Sequence, residues 1–193
     1  VMQEMSGATS TERFMRGFRE QMSNPQVKTI VIDVDSPGGS VYGVDEIATE
    51  IRDAAQRKNV VAVADSLMAS AAYYAVAGAS EIAASPSSEL GSIGVLAVHY
   101  DLSKANEMEG ITPTLIKAGK YKAEGHPAFP LEDGARDRIQ ADVDRYYTMF
   151  VNAVAKGRGV STATVRGGFG EGRVVGAQEA VRRTSRDIRI KDV

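Results

Sequence analysis

An α/β fold with a mostly parallel sheet is what this chain of 193 residues predicts. Two stretches carry that prediction. Residues 27–35 (VKTIVIDVD) and 60–64 (VVAVA) are short β-branched or apolar runs, and a helix-like segment follows each. Strands that alternate with helices need crossover connections, and crossovers bring successive strands into parallel register.

The elements follow in order. Residues 27–35 alternate valine and isoleucine with other residues, as a strand does. Ser36-Pro37-Gly38-Gly39-Ser40 ends it, because proline lacks a ladder donor and paired glycines favour a turn. Over 41–57, Val44, Ile47, Ala48 and Ile51 recur at helical spacing. Residues 60–64 are a second strand, and 70–79 an alanine-rich helix. Short strands are expected at 82–84, 93–98 and 114–117, with a helix over 102–109. Residues 135–156 place Ile139, Val143, Tyr146, Tyr147, Phe150 and Val154 on one face of the longest helix, which falls within 131–160. Glycines at 167–172 suggest a mobile loop, and 184–193 read as a tail. The whole of 1–193 suits one domain.

Composition narrows the function. Hydrophobic residues make up 43% and charged ones 25%, enough apolar surface for a sizeable core. A net charge of −2 gives no electrostatic case for nucleic acid or an anionic membrane. The absence of cysteine removes disulfides, thiolate catalysis and cysteine-type zinc. His99 and His126 show no metal-ligand spacing, and no cofactor motif is present, so neither metal nor cofactor is expected. No run reaches the ~18 apolar residues that cross a bilayer. The first residues lack both a signal-peptide pattern and an initiator methionine, so the chain is expected to begin inside a longer protein.

Three constellations bear chemistry. The Ser-Pro-Gly-Gly turn joins a strand to a helix, where backbone N–H groups and the helix dipole can meet a developing oxyanion. A strand-ending turn explains the same residues. Met68-Ala69-Ser70-Ala71-Ala72-Tyr73-Tyr74 sets a serine among small neighbours just after a strand, as a nucleophile or as a helix cap. Gly119-Lys120-Tyr121-Lys122 offers lysines beside Lys117. A lysine serves as a base only when desolvation keeps its amine neutral, and most lysines are solvated surface groups.

Taken together and in order, these motifs, with Gly91-Ser92-Ile93-Gly94-Val95 and 172–180 (GRVVGAQEA), resemble the signal peptide peptidase A family of the Clp protease/crotonase superfamily. The resemblance runs from about Thr29 to Ala180. It implies a Clp/crotonase-like fold of repeated ββα or βα units. It also implies a serine peptidase with Ser70 as nucleophile, Lys122 as general base and the Gly38 and Ala71 amides as oxyanion hole. Ser92 would support the lysine. Ala71-Ala72 stands where many family members carry Gly-Gly. Beyond Ala180, 182–187 (RRTSRD) breaks the family's usual glycine and apolar strand.

The resemblance further implies a peptide or protein substrate and a homo-oligomer, a ring or dome. A short member of this kind is similar to the capsid-maturation proteases of tailed phages, which act on capsid and scaffold proteins in the host cytoplasm. A soluble domain of a membrane-associated peptidase that clears signal peptides is the alternative role. A His99-based triad, a crotonase-like acyl-CoA enzyme and a catalytically silent assembly subunit are the competing classes.

Overall fold

The computed structural model describes residues 9–168, 171–184 and 188–190. Two compact units divide the chain: Val1–Gly94 with Tyr147–Val193, and Val95–Tyr146.

The first unit opens with helix α1 (Thr11–Ser23), capped where the Ser10 hydroxyl accepts the Arg13 N–H at 3.3 Å. Phe14, Met15, Phe18 and Met22 give it one apolar face at helical spacing. Met15 and Phe18 are buried. Outside that face, Arg19 grips the Glu50 carboxylate with two hydrogen bonds of 2.7 and 2.6 Å.

Strand β1 (Thr29–Ser36) turns Ile30, Ile32 and Val34 into the core and leaves the intervening residues exposed. After helix α2 (Val44–Ala55), strand β2 (Asn59–Ala69) pairs parallel with β1 along its length. It reaches well beyond the run at 60–64 that announced it. Residues 61–64 pair with β3 (Glu81–Ala84) and 67–69 with β4 (Glu89–Gly91), both parallel. Strand β2 thus changes neighbour at Asp65–Ser66 and delivers its end to a new edge. Helix α3 (Ala71–Val76) follows at once.

Late in the chain, β5 (Val174–Gly176) closes antiparallel on β4, and β6 (Ile188–Ile190) lies parallel to β3. The fold is α/β with a mixed, mostly parallel sheet. Within the stretch expected to be a tail, 188–190 therefore form a strand. Helices α6 (Thr162–Gly168) and α7 (Ala177–Thr184) flank β5 in sequence. Of the glycine segment expected to be a mobile loop, residues 169–170 lie outside the described residues.

The second unit contains helix α4 (Ser103–Met108) and the first half of helix α5 (Asp133–Arg158). The strands expected at 93–98 and 114–117 are not formed. They are short apolar runs, but no strand among the described residues pairs with them. Helix α5 matches the expected 131–160, and its halves differ. Phe150, Val151 and Val154 are buried in the first unit, whereas Ile139 and Val143 in the second unit are only half-buried. Among the described residues no helix is long and apolar enough to cross a membrane.

Candidate active site at the β2–α3 corner

Ser70 occupies the single residue between the end of β2 and the start of α3. Its backbone lies at φ 51° and ψ −125°, where L-residues rarely go. Such a conformation costs of order 1–3 kcal/mol and persists only where surroundings enforce it. Two hydrogen bonds do so: the Ser70 N–H donates to the Gly91 carbonyl at 2.8 Å, and the Ser70 carbonyl accepts the Tyr74 N–H at 2.9 Å. The first ties the corner to β4, the second to the first turn of α3. A strained serine on a sharp strand-to-helix turn is the backbone arrangement that nucleophilic elbows use.

Gly38 packs directly against this corner. A β-carbon built there would lie 2.6 Å from Ser70 Cβ, 2.8 Å from Ala71 N and 2.9 Å from Ala69 O. With φ at +100°, only glycine fits. Gly38, Ser70 and Ala71, separated by more than thirty residues of chain, are thereby brought together. The Ala71 N–H belongs to the first turn of α3 and has no intrahelical acceptor. The Gly38 N–H donates to the Ser36 hydroxyl at 3.2 Å, a bond that the motif alone did not reveal.

Ser92 follows Gly91, whose carbonyl holds Ser70, and its own N–H donates to Arg173 O at 2.8 Å. It too has a positive φ, 51°. Behind the corner, the Tyr74 hydroxyl donates to Asp45 Oδ1 at 2.7 Å, and its ring stacks on Phe150 at 4.5 Å between centroids. Burial, reinforced by the Asp45 carboxylate, pushes the Tyr74 phenol far above its ordinary range, so it remains a donor. This Asp45–Tyr74 link joins the first turn of α2 to α3. The Tyr-Tyr pair after Ser70 was the available signal for it, though nothing in spacing identified the partner.

Beside the Gly38–Ala71 contact lies a cleft of about 220 Å³ with an apolar floor that includes Ile32, Val34 and Ile47.

Lys122 sits in the second unit on an exposed turn, where its N–H donates to the Gly119 carbonyl at 3.3 Å. Lys117 and Lys120 line a cleft of that unit, and Lys120 lies 4.8 Å over the Tyr121 ring; Lys122 is not among the cleft's walls. His99 is half-buried with its Nε2 unpartnered among the described residues, and His126 accepts the Ala128 N–H at 3.2 Å. No group of three or more His, Asp or Glu side chains among the described residues could hold a metal ion.

Residues 52–185 match the model of peptidase family S49. The chain belongs to peptidase family S49. That segment takes in Ser70, Ala71, Ser92 and Lys122, and leaves α1 and the Gly38 turn outside it. Among S49-like relatives, capsid assembly protease C of Escherichia phage lambda is 32% identical over 181 residues, 94% of this chain and 41% of its own length. Head-tail preconnector protein GP5 of Enterobacteria phage P21 is 30% identical over 166 residues, 86% of this chain and 33% of its own. The chain thus spans well under half the length of these phage relatives. A mutant of the 1510-N membrane-bound stomatin-specific protease superimposes with a TM-score of 0.60 at 15% identity, over 95% of this chain and 75% of that one. That likeness supports the fold, in line with the Clp/crotonase-like expectation.

Proposed function

We propose that this S49 member is a serine endopeptidase that cleaves peptide bonds through Ser70 and Lys122. The observation that carries the reading is the strained Ser70 corner with Gly38 fitted against it. Strain of this kind gathers at functional sites.

In this mechanism the neutral Lys122 amine takes the Ser70 hydroxyl proton as the oxygen attacks the peptide carbonyl. The oxyanion is held by the Ala71 N–H and by an amide of the Gly38 turn. For Gly38 itself to donate, its N–H must exchange the Ser36 hydroxyl for the oxyanion. The lysine returns the proton to the departing amine, and water then hydrolyses the acyl-enzyme. Ser92, one residue from the carbonyl that fixes Ser70, would orient the lysine.

The chain is further proposed to act as a homo-oligomer. Between residues 95 and 146 only Ala135 is buried, while Leu96, Tyr100, Met108 and Ile116 are among the large apolar side chains left exposed. An apolar surface of this kind marks an association site. Covering it with a second copy would also remove the Lys122 turn from water, the condition a lysine base requires. Similarity to the lambda capsid assembly protease favours processing of phage capsid or scaffold proteins as the biological role.

A peptidase assay on wild type beside Ser70→Ala, Lys122→Ala and Lys120→Ala tests the reading. The first two are expected to abolish turnover and the third to leave most of it. Full activity in Ser70→Ala would end the proposal, and failure of the wild type to react with a serine-directed phosphonate would favour a silent assembly subunit.

A further inference from the structure

We propose that α1 forms the outer wall of the pocket receiving the substrate side chain next to the scissile bond, and that Phe14 sets the size of side chain admitted. This rests on the peptidase reading of Ser70.

Gly38 and Ala71, which meet Ser70 at the corner, also line the cleft, so a peptide carbonyl placed for attack would set its nearest side chain beside it. At about 220 Å³ the cleft is smaller than sites for free small-molecule ligands, which run about 300–1,000 Å³. It suits one side chain. The floor is apolar, so an entering charged side chain would lose water at a cost.

Ala72 and Ala75 of α3, which take up little space, line the cleft, and so does Phe14 of α1, a partly buried aromatic ring. Helix α1 is fixed. Phe14 stacks on Phe18 with centroids 6.2 Å apart, Met15 and Phe18 are buried, and Arg19 is clamped to Glu50 on α2. Lys58 adds hydrogen bonds of 3.0 and 2.6 Å to the carbonyls of Gln21 and Asn24, where α1 ends. Helix α1 lies outside residues 52–185, the segment that matches the family model.

Pocket size then has two opposed controls. Phe14→Ala enlarges the pocket, and Ala75→Leu fills it from α3. A methylene more or less in an apolar pocket changes relative kcat/KM by about 10–200-fold. The experiment is digestion of a synthetic mixed-sequence peptide library by the wild type, Ser70→Ala and the two pocket variants, with the residue before each cut read by mass spectrometry. Phe14→Ala should raise cleavage after Phe relative to Ala by about tenfold or more, and Ala75→Leu should lower cleavage after Leu relative to Ala by a similar factor. Phe14→Leu, milder on folding, should shift preference in the same direction as Phe14→Ala. Ser70-dependent cleavage with unchanged preference in all folded variants overturns the pocket assignment alone. Absence of Ser70-dependent cleavage in the wild type overturns the peptidase reading, and this inference with it.

Discussion

The two units of this chain answer the same physical demand in opposite ways. The first buries its apolar residues on its own: Ile51, Val60, Ala62, Met68 and Ile82 are all fully or almost fully inaccessible, and they come from α2 and two strands. The second, 95–146, contributes no member to the buried core cluster and holds ten of the thirteen large apolar side chains exposed among the described residues. A closed core can hold a strained corner such as Ser70; an open apolar surface cannot, but it can join another molecule. The proposed nucleophile and oxyanion donors lie on the self-sufficient unit, and the proposed base on the unit with the exposed apolar side chains.

The sharpest way to break this comparison is to put one charge into each unit. Ile51→Glu buries an unpaired carboxylate and should cost more than about 4 kcal/mol, leaving little folded protein by circular dichroism. Ile116→Glu, at a side chain 94% exposed, should leave thermal unfolding unchanged while lowering the assembly mass in light scattering. Equal loss of fold in both variants would erase the distinction.

Next in size is Gly38→Ala. Its new methyl meets the backbone of Ala69 and Ala71, so the turn must retreat from the nucleophile. Loss of one oxyanion donor costs about 10²–10³ in kcat, and this variant should fall in that range with KM changing far less.

The smallest effect belongs to the α1 clamp. The Arg19 guanidinium, through its hydrogen bonds, holds the Glu50 carboxyl below its ordinary range. A depressed carboxylate contributes stability that is present above its unfolded pKa and is lost as pH falls through the lowered folded value. A slight decline in thermal stability on acidification below the ordinary glutamate range, absent in Glu50→Gln, would confirm the sign. The pair is largely solvated, so the change should be modest.

What the sequence made legible follows the same division. In the first unit, alternation at 27–35 and helical spacing at 44–51 reported burial truthfully, because those residues pack inside one chain. Helix α1 was missed although Phe14, Met15, Phe18 and Met22 carried its period. Strand β2 runs past its apolar start because Asp65 and Ser66 are satisfied by side-chain bonds to Ser85 and Asp35. Elsewhere the same rules failed: 93–98 and 114–117 are short apolar runs without a strand partner among the described residues. Apolar periodicity says that a surface is to be covered, not by what. The Gly-Gly turn and Ser70 were identifiable by type and order, whereas the Ser36–Gly38 bond and the Asp45–Tyr74 link depend on tertiary approach that spacing does not encode.

Ser70 is proposed to owe its reactivity to Lys122. The most direct measurement is the rate at which a fluorophosphonate labels Ser70 in the assembled wild type, Lys122→Ala and His99→Ala. Wild type and His99→Ala should label at similar rates, and Lys122→Ala should label at least about 10²-fold more slowly, the lower end of what a positioned base contributes. Labelling of Lys122→Ala at the wild-type rate, or loss of labelling in His99→Ala alone, would contradict the account.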